Sequence, residues 1–315
     1  MKRFVFDMET GDPDDVLTLI LLLGHPKVDL CAVTVTPGTP HQIGIVRHIL
    51  EKFGRNIPVG AFNLDHMKAL GTPEEHYVSC VSGWHYNWLG EVPPSRDASP
   101  GWQVLHDHLN PSTMLLTGAP LKNLGEALRQ APPHLRFPWT AQGGFVGEGV
   151  VPAHLQLEKF KGRQTCPTYN FNGDTPSALL AMEHPALTER HFISKNVCHG
   201  VVYDHELHDS LTQFLGKMVD QDSPHGLSLN LIHSGMSKYL RKHPSGKAFH
   251  DPLASCCAIN PSVGSMWAKV RMFKEKGGWG AVLAEPDDPL AAEAIVAYDR
   301  EIFIQTLFGQ TEVSK

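Results

Sequence analysis

The stretch FVFDMETGDPDDVLTLILLL, residues 4–23, determines the fold that we expect for this chain. Its first three residues form a short apolar run typical of a buried strand, and Val16 to Leu23 form an apolar helix that two aspartates precede. A second strand is predicted from Leu30 to Val35, and an amphipathic helix follows from His41 to Phe53. Because strands and helices alternate, the sequence predicts a parallel sheet built from βαβ units.

The same alternation continues over the rest of the chain. Further strands are predicted at residues 57–61, 113–117 and 191–196, and further helices at 121–129, 176–182, 207–218, 227–240 and 302–308. Neither a low-complexity linker nor an internal repeat divides these elements, so we expect one domain over residues 1–315, although the length alone would allow two. The predicted fold class is α/β, with an open, mainly parallel but mixed sheet flanked by helices.

The composition limits the classes of partner. Apolar residues make up 42% of the chain and charged residues 19%, which is enough to bury a large core. The 27 basic and 33 acidic residues give a formal net charge of −6, which argues against general nucleic-acid or membrane-surface binding and favours a small-molecule partner. No apolar run is long enough to span a membrane, and Met1-Lys2-Arg3 leads directly into the first strand, so we expect a cytoplasmic protein.

The first strand is followed by an acidic cluster, with five carboxylates in the nine residues 7–15. In an open α/β sheet, ligands bind outside the carboxyl ends of the strands, which is where this cluster falls. Capping of the next helix would need only one or two of these acids. So many like charges are costly unless a cation compensates them, and hard oxygen ligands favour Ca²⁺ or Mg²⁺. The cluster therefore predicts a metal site.

This acidic segment resembles the amino-terminal fingerprint of the nucleoside hydrolases, the inosine-uridine preferring family of N-ribohydrolases. The family pattern is D-x-D-x-G-x-D-D after a strand, and this chain has Asp7, Glu9 and Gly11, one extra residue, and then Asp14-Asp15. Two further blocks are similar to family blocks: LTGAPLKNL at 116–124 and FHDPLA at 249–254. The three blocks occur in the family's order, so the resemblance covers most of the chain.

The resemblance implies a calcium-dependent hydrolysis of the N-glycosidic bond and a role for each matching residue. The implied metal ligands are Asp15, Asp251, the Thr117 carbonyl and Glu9. Asp14 and Asn170 would hold the ribose hydroxyls, and either Glu9 or Asp12 would take the proton from the attacking water. His250, which lies in the third matching block, would protonate or hydrogen-bond the departing base. His85 lies outside the matching blocks and is a second candidate for this role on its chemistry alone, with a plain loop residue as the alternative.

Several departures from the family pattern concern the substrate. Glu9 replaces an aspartate, Thr39 stands where the family usually has asparagine, and Thr168 stands where it usually has a ribose-binding glutamate. Arg163 takes the place of an asparagine that binds the 5′-hydroxyl, with Lys161 beside it. A cationic loop without the glutamate suits a phosphate better than a hydroxyl. We therefore expect a nucleoside 5′-monophosphate, modified bases included, as the preferred substrate, with a plain nucleoside or an exposed, solvated loop as alternatives.

Two other functions fit the same residues. The changes at Glu9, Thr39 and Thr168 are compatible with a non-catalytic module that binds a metal and ribose. Clustered carboxylates also serve metal-dependent phosphohydrolases, although the expected second set of His and Asp ligands is missing from the sequence pattern. For the hydrolase we expect a homodimer or a homotetramer.

Overall fold

The computed structural model describes residues 1–63 and 80–310, which form a layered α/β structure. The strands are β1 Lys2–Met8, β2 Val28–Val35, β3 Val59–Ala61, β4 Ser99–Pro100, β5 Thr113–Thr117, β6 Phe137–Gln142, β7 Thr165–Cys166, β8 Leu187–Ile193, β9 Val202–Tyr203, β10 Lys247–Ala248, β11 Met266–Glu275, β12 Gly278–Leu283 and β13 Ala292–Ala297. The helices are α1 Pro13–Gly24, α2 Pro40–Lys52, α3 Gly83–Leu89, α4 Gly101–His108, α5 Lys122–Arg129, α6 Tyr169–Gly173, α7 Thr175–Glu183, α8 Lys195–Cys198, α9 His205–Lys217, α10 Pro224–Lys242, α11 His250–Ile259 and α12 Arg300–Leu307.

Eleven of these strands form one sheet in the order β4-β3-β2-β1-β5-β6-β8-β13-β11-β12-β7. Neighbouring strands are parallel from β4 to β13, and β11, β12 and β7 extend the sheet in antiparallel pairs. The predicted fold class, a mainly parallel mixed sheet flanked by helices, is confirmed. None of the helices in the described ranges has the length and apolarity to span a bilayer.

Side chains of β1 point alternately to the two faces of the sheet, and each face has its own core. Phe4 and Phe6 are fully buried with the apolar side of α1, whereas Val5 is buried with residues of α4 and α5 on the opposite face. Because both faces of the strand are covered, the run Phe4 to Phe6 is continuously apolar, as is usual for a parallel strand. This burial fixes the end of β1, which carries the acidic cluster.

The predicted sheet was mixed, but its antiparallel strands β7, β11 and β12 were not among the predicted elements. β11 and β12 are joined by Lys276 and Gly277, which both have positive φ values of 44° and 82°. Such a two-residue turn matches the twist of a hairpin and favours glycine. β8 was predicted to begin at His191 but begins at Leu187, because charged residues interrupt its apolar pattern.

Candidate active site

A cavity of about 500 Å³ lies at the carboxyl ends of β1 and β5, where α11 begins. Its lining includes five carboxylates, those of Glu9, Asp12, Asp14, Asp15 and Asp251. Gly118, directly after β5, lies so close to two of them that a Cβ atom there would be 2.6 Å from Asp251 Oδ1 and 3.3 Å from Asp15 Oδ1. The three sequence blocks therefore meet in one cavity, as expected of ligand sites in open α/β sheets.

Hydrogen bonds at the strand ends hold the blocks together. Asp7, fully buried at the end of β1, accepts a hydrogen bond of 2.7 Å from the Thr34 hydroxyl and one of 2.8 Å from the Asn123 amide. The Asn123 amide also donates to the Val35 carbonyl. Burial raises the pKa of Asp7 to about 7, although both hydrogen bonds oppose this increase. Asp7 therefore joins β1, β2 and α5 below the cavity and does not line it.

Three buried carboxylates, those of Asp14, Asp15 and Asp251, each place an oxygen within 4.8 Å of the other two. Burial, followed by the neighbouring carboxylates, raises the pKa values of Asp15 and Asp251 well above the ordinary value. Asp251 Oδ1 is buried and has no hydrogen-bond partner among the described residues. Hard oxygen donors, mutual repulsion and an orphaned oxygen fit a divalent cation of the Ca²⁺ or Mg²⁺ type.

Asp14 is held by groups on both of its oxygens. Its Oδ1 pairs with the Lys247 ammonium at 2.9 Å, and its Oδ2 accepts from the backbone N–H groups of His250 at 3.1 Å and Asp251 at 3.3 Å. Although burial would raise the pKa of Asp14, Lys247 and His250 hold it below the ordinary value. The carboxylate is therefore ionised and fixed in orientation at the start of α11.

Glu9 and Asp12, the two candidates for the general base, have different surroundings. The Tyr169 hydroxyl donates a 3.2 Å hydrogen bond to Glu9 Oε2, and burial is the main cause that raises the pKa of Glu9 to about 7. Asp12 is half exposed and pairs with Lys247 at 2.9 Å. Because Asp12 is already neutralised by a lysine, Glu9 is better placed to accept a proton.

Asn170, which was predicted to bind the ribose, lines the cavity. Its Nδ2 donates to the carbonyls of Gly118 and Gln142, both at 2.9 Å, and to Gln142 Oε1 at 2.7 Å. With its amide nitrogen so engaged, the side-chain oxygen is the group that Asn170 can offer to a sugar hydroxyl.

Two stacked imidazoles, His199 and His250, line one side of the cavity with their centroids 4.7 Å apart. His250 Nδ1 is 4.0 Å from Asp14 Oδ2, and His250 Nε2 is buried without a hydrogen-bond partner among the described residues. Burial, together with nearby cations, lowers the pKa values of both histidines, that of His199 to about 3. Both rings are therefore neutral at pH 7.

Five predicted site residues are not part of the lining of this cavity. One of them, Thr117, is fully buried at the end of β5, where its hydroxyl accepts a hydrogen bond from the Trp139 indole N–H. His85 is fully buried in α3, where its Nδ1 is 2.8 Å from the Ser82 hydroxyl, and burial lowers its pKa to about 4. Thr39 caps α2, because its hydroxyl accepts from the N–H of Gln42. Lys161 pairs with Glu158 on the surface, and Arg163 lies on the same exposed loop. His85, Thr39, Lys161 and Arg163 therefore lie apart from the acidic cluster, which corrects their predicted places in the site, whereas Thr117 directly precedes the lining residue Gly118.

Lys247 was not among the predicted site residues, and Lys195 and His199 had no predicted role. Lys247 is 4% exposed and bridges Asp12 and Asp14. Its position two residues before the FHDPLA block could have indicated that Lys247 lies near the site. The aspartates that it contacts, however, lie more than 230 residues earlier in the chain. Lys195 and His199 both line the cavity from α8 and the residue that follows it.

Comparison with known proteins gives the family. Residues 4–305 match the model of the inosine-uridine preferring nucleoside hydrolase family. The chain belongs to this family. It therefore is an enzyme of the N-ribohydrolase type, which hydrolyses the N-glycosidic bond of nucleosides, and the predicted resemblance is confirmed. The family binds a metal ion, for which the acidic cluster is the candidate site.

Individual relatives of this nucleoside hydrolase are distant. A protein of Aquifex aeolicus (strain VF5), described only as uncharacterized, is 29% identical over 295 residues, which cover 89% of this chain and 91% of that protein. The inosine-uridine preferring nucleoside hydrolase from Bacillus anthracis is 18% identical with a TM-score of 0.65, covering 98% of this chain and 99% of its own. An inosine-guanosine nucleoside hydrolase is 15% identical with a TM-score of 0.68, covering 98% of both chains. These structures share the fold.

Proposed function

We propose that this chain is a calcium-dependent hydrolase of ribonucleosides that prefers nucleoside 5′-monophosphates and releases free base with ribose or ribose 5-phosphate. The observation that carries the proposal is the cluster of Asp14, Asp15 and Asp251, whose oxygens lie within 4.8 Å of one another and include an unpartnered one. Asp15, Asp251 and the Thr117 carbonyl would hold the ion, with Glu9 beside them. A divalent cation at this position lowers the pKa of the attacking water.

The other cavity residues provide the remaining chemistry. Glu9, held by Tyr169, accepts the proton of the attacking water, whereas Asp12 is paired with Lys247. The Asp14 carboxylate and the Asn170 side-chain oxygen face the ribose hydroxyls. The negative charge of Asp14 and the amide dipole of Asn170 stabilise the positive charge that develops on the sugar as the glycosidic bond breaks. His250 lies on the side of the departing base and hydrogen-bonds it.

The preference for a monophosphate is supported by two residues of a lining that is otherwise rich in carboxylates. Thr168, which replaces the family's glutamate, lines the cavity without adding a negative charge, and Lys195 lines it as well. A substrate with a phosphate gains more from such surroundings than one with a hydroxyl. The alternative within this proposal is a plain nucleoside.

The experiment that tests the proposal follows the products from matched nucleosides and 5′-monophosphates with common and modified bases. We expect free base with ribose or ribose 5-phosphate, because the acidic cluster serves glycosidic cleavage. Release of inorganic phosphate would indicate a phosphohydrolase in place of the proposed function. Substrate binding without release of either product would indicate a binding module.

Several broader proposals accompany this function. We infer that residues 1–315 form a single domain, which is supported by a sheet whose strands come from residues 2 to 297. We also propose a role in nucleotide salvage, a cytoplasmic location and a homodimer or homotetramer. Light scattering coupled to size-exclusion chromatography measures the last of these, and a monomeric mass would contradict it.

Replacement of Lys247 tests how Asp14 is held. We expect Lys247→Met to lower the free energy of unfolding of the metal-free protein by about 3 to 5 kcal/mol, because it leaves the buried Asp14 carboxylate without its counter-ion. Chemical denaturation measures this loss. The matched control is Asp12→Asn, which removes the half-exposed partner and should cost less than about 1 kcal/mol. Equal losses in the two variants would contradict the assigned role of Lys247.

A further inference from the structure

Lys195 brings an unneutralised positive charge to the cavity. Its ammonium donates a 2.8 Å hydrogen bond to the Pro167 carbonyl, and its side chain lines both the cavity and the adjoining depression beside Tyr169. Within residues 1–63 and 80–310, no carboxylate oxygen lies within 4.0 Å of this ammonium. Lys247, in contrast, is neutralised by two aspartates. Lys195 is therefore available to an anionic ligand.

Thr168 provides a second, independent observation at the same place. It follows Pro167 directly, lines the same cavity and depression as Lys195, and is only 3% exposed. Its hydroxyl is buried and has no hydrogen-bond partner in the described part of the chain. A buried hydroxyl without a partner is costly, and a ligand that hydrogen-bonds it removes this cost.

His199 adds a third polar group whose tautomer can be deduced. The Lys159 ammonium lies 3.0 Å from His199 Nδ1, and an ammonium can only donate, so Nδ1 must accept. The proton of the neutral ring is then on Nε2, so this residue of the cavity lining carries a hydrogen-bond donor. Lys159 also adds a positive charge beside His199 and has no carboxylate within 4.0 Å among the described residues.

We propose that Lys195 and Thr168, assisted by His199, form an anion subsite for a phosphate monoester on the sugar of the substrate. This inference rests on the proposed function. It assigns recognition of the substrate's phosphate to residues that line the cavity. The predicted loop cations Lys161 and Arg163 do not line the cavity. Lys195 supplies the charge and Thr168 the hydroxyl, and Thr168 precedes the ribose-side residue Asn170 by two positions, so the phosphate and the sugar are bound by one segment.

The test compares kcat/KM for a nucleoside and its 5′-monophosphate in the wild type, Lys195→Gln, Thr168→Val and Arg163→Ala. We expect the wild type to favour the monophosphate by about 30-fold or more. Lys195→Gln should lower this ratio by about 10- to 100-fold and Thr168→Val by about 5-fold, whereas Lys195→Arg should keep most of it. The matched control is Lys217→Gln, on the exposed side of α9, which should keep the wild-type ratio.

The outcomes separate this inference from the function on which it rests. If neither substrate releases base, the proposed function fails. If the wild type releases base from both substrates with equal kcat/KM, hydrolysis stands and the anion subsite is overturned. Loss of the preference in Arg163→Ala but not in Lys195→Gln would move phosphate recognition to the loop and overturn the assignment. Binding of inorganic phosphate can be measured without turnover, from the rise in Tm that it causes. We expect a larger rise for the wild type than for Lys195→Gln. An equal rise in the two proteins would contradict the subsite.

Discussion

Asp251→Asn should abolish calcium binding and lower kcat/KM for base release by about 10³-fold or more. The substitution keeps the size of the side chain but removes one of the three charges that converge within 4.8 Å, including the oxygen that has no partner in the described structure. Charge stabilisation by a metal ion in a reaction site is worth several kcal/mol, which sets the size of the expected loss. Isothermal titration with Ca²⁺ and an assay of free base measure the two effects.

The matched control for this substitution is Asp209→Asn, which makes the same chemical change on the exposed surface of α9. It should bind Ca²⁺ and turn over substrate as the wild type does. Circular dichroism and thermal unfolding show whether Asp251→Asn remains folded. A folded Asp251→Asn protein with wild-type activity would contradict the proposed metal site.

Glu9→Gln should reduce kcat by about 10²- to 10⁴-fold, the range in which a positioned general base contributes. Glutamine keeps the hydrogen bond from the Tyr169 hydroxyl but cannot accept a proton at neutral pH. Because Asp15 and Asp251 remain, calcium binding should weaken without being lost. Single-turnover kinetics at saturating Ca²⁺ separate the chemical step from metal binding.

Asp12→Asn is the comparison that decides between the two candidate bases. Asp12 is half exposed and bound to Lys247, so its loss should change kcat much less than Glu9→Gln does. A larger loss in Asp12→Asn than in Glu9→Gln would make Asp12 the general base and contradict the assignment to Glu9.

The parts of the fold that the sequence predicted are those with strong local patterns. The buried run from Phe4 to Phe6 and the predicted strand from Thr113 to Thr117 reflect burial on both faces of a parallel sheet, which leaves a continuous apolar run in the sequence. β8 could not be placed correctly, because its sequence from Leu187 to Ile193 includes the exposed Glu189 and the buried Arg190, which interrupt the apolar pattern. Its position between β6 and β13 depends on long-range pairing, which periodicity does not report.

The site was predictable where one short segment carries several functional groups. Asp14 and Asp15 lie in the first turn of α1, and His250 and Asp251 begin α11, so each block could be recognised locally. Lys247 was missed because its role depends on contact with Asp12 and Asp14, which are far from it in the sequence. His85 was assigned on residue type, but its position in the core is set by tertiary packing. The sequence likewise did not show that Lys161 and Arg163 lie on the exposed surface and not in the cavity.

Calcium dependence of base release is the most direct measurement of the central claim. Protein exhaustively treated with chelator should release no base, and titration with Ca²⁺ should restore activity with a midpoint that agrees with the Kd from calorimetry. Thermal stability should rise over the same concentrations, because an ion that binds only the folded state stabilises it. Full base release by chelated protein, with no heat of binding on addition of Ca²⁺, would contradict the account.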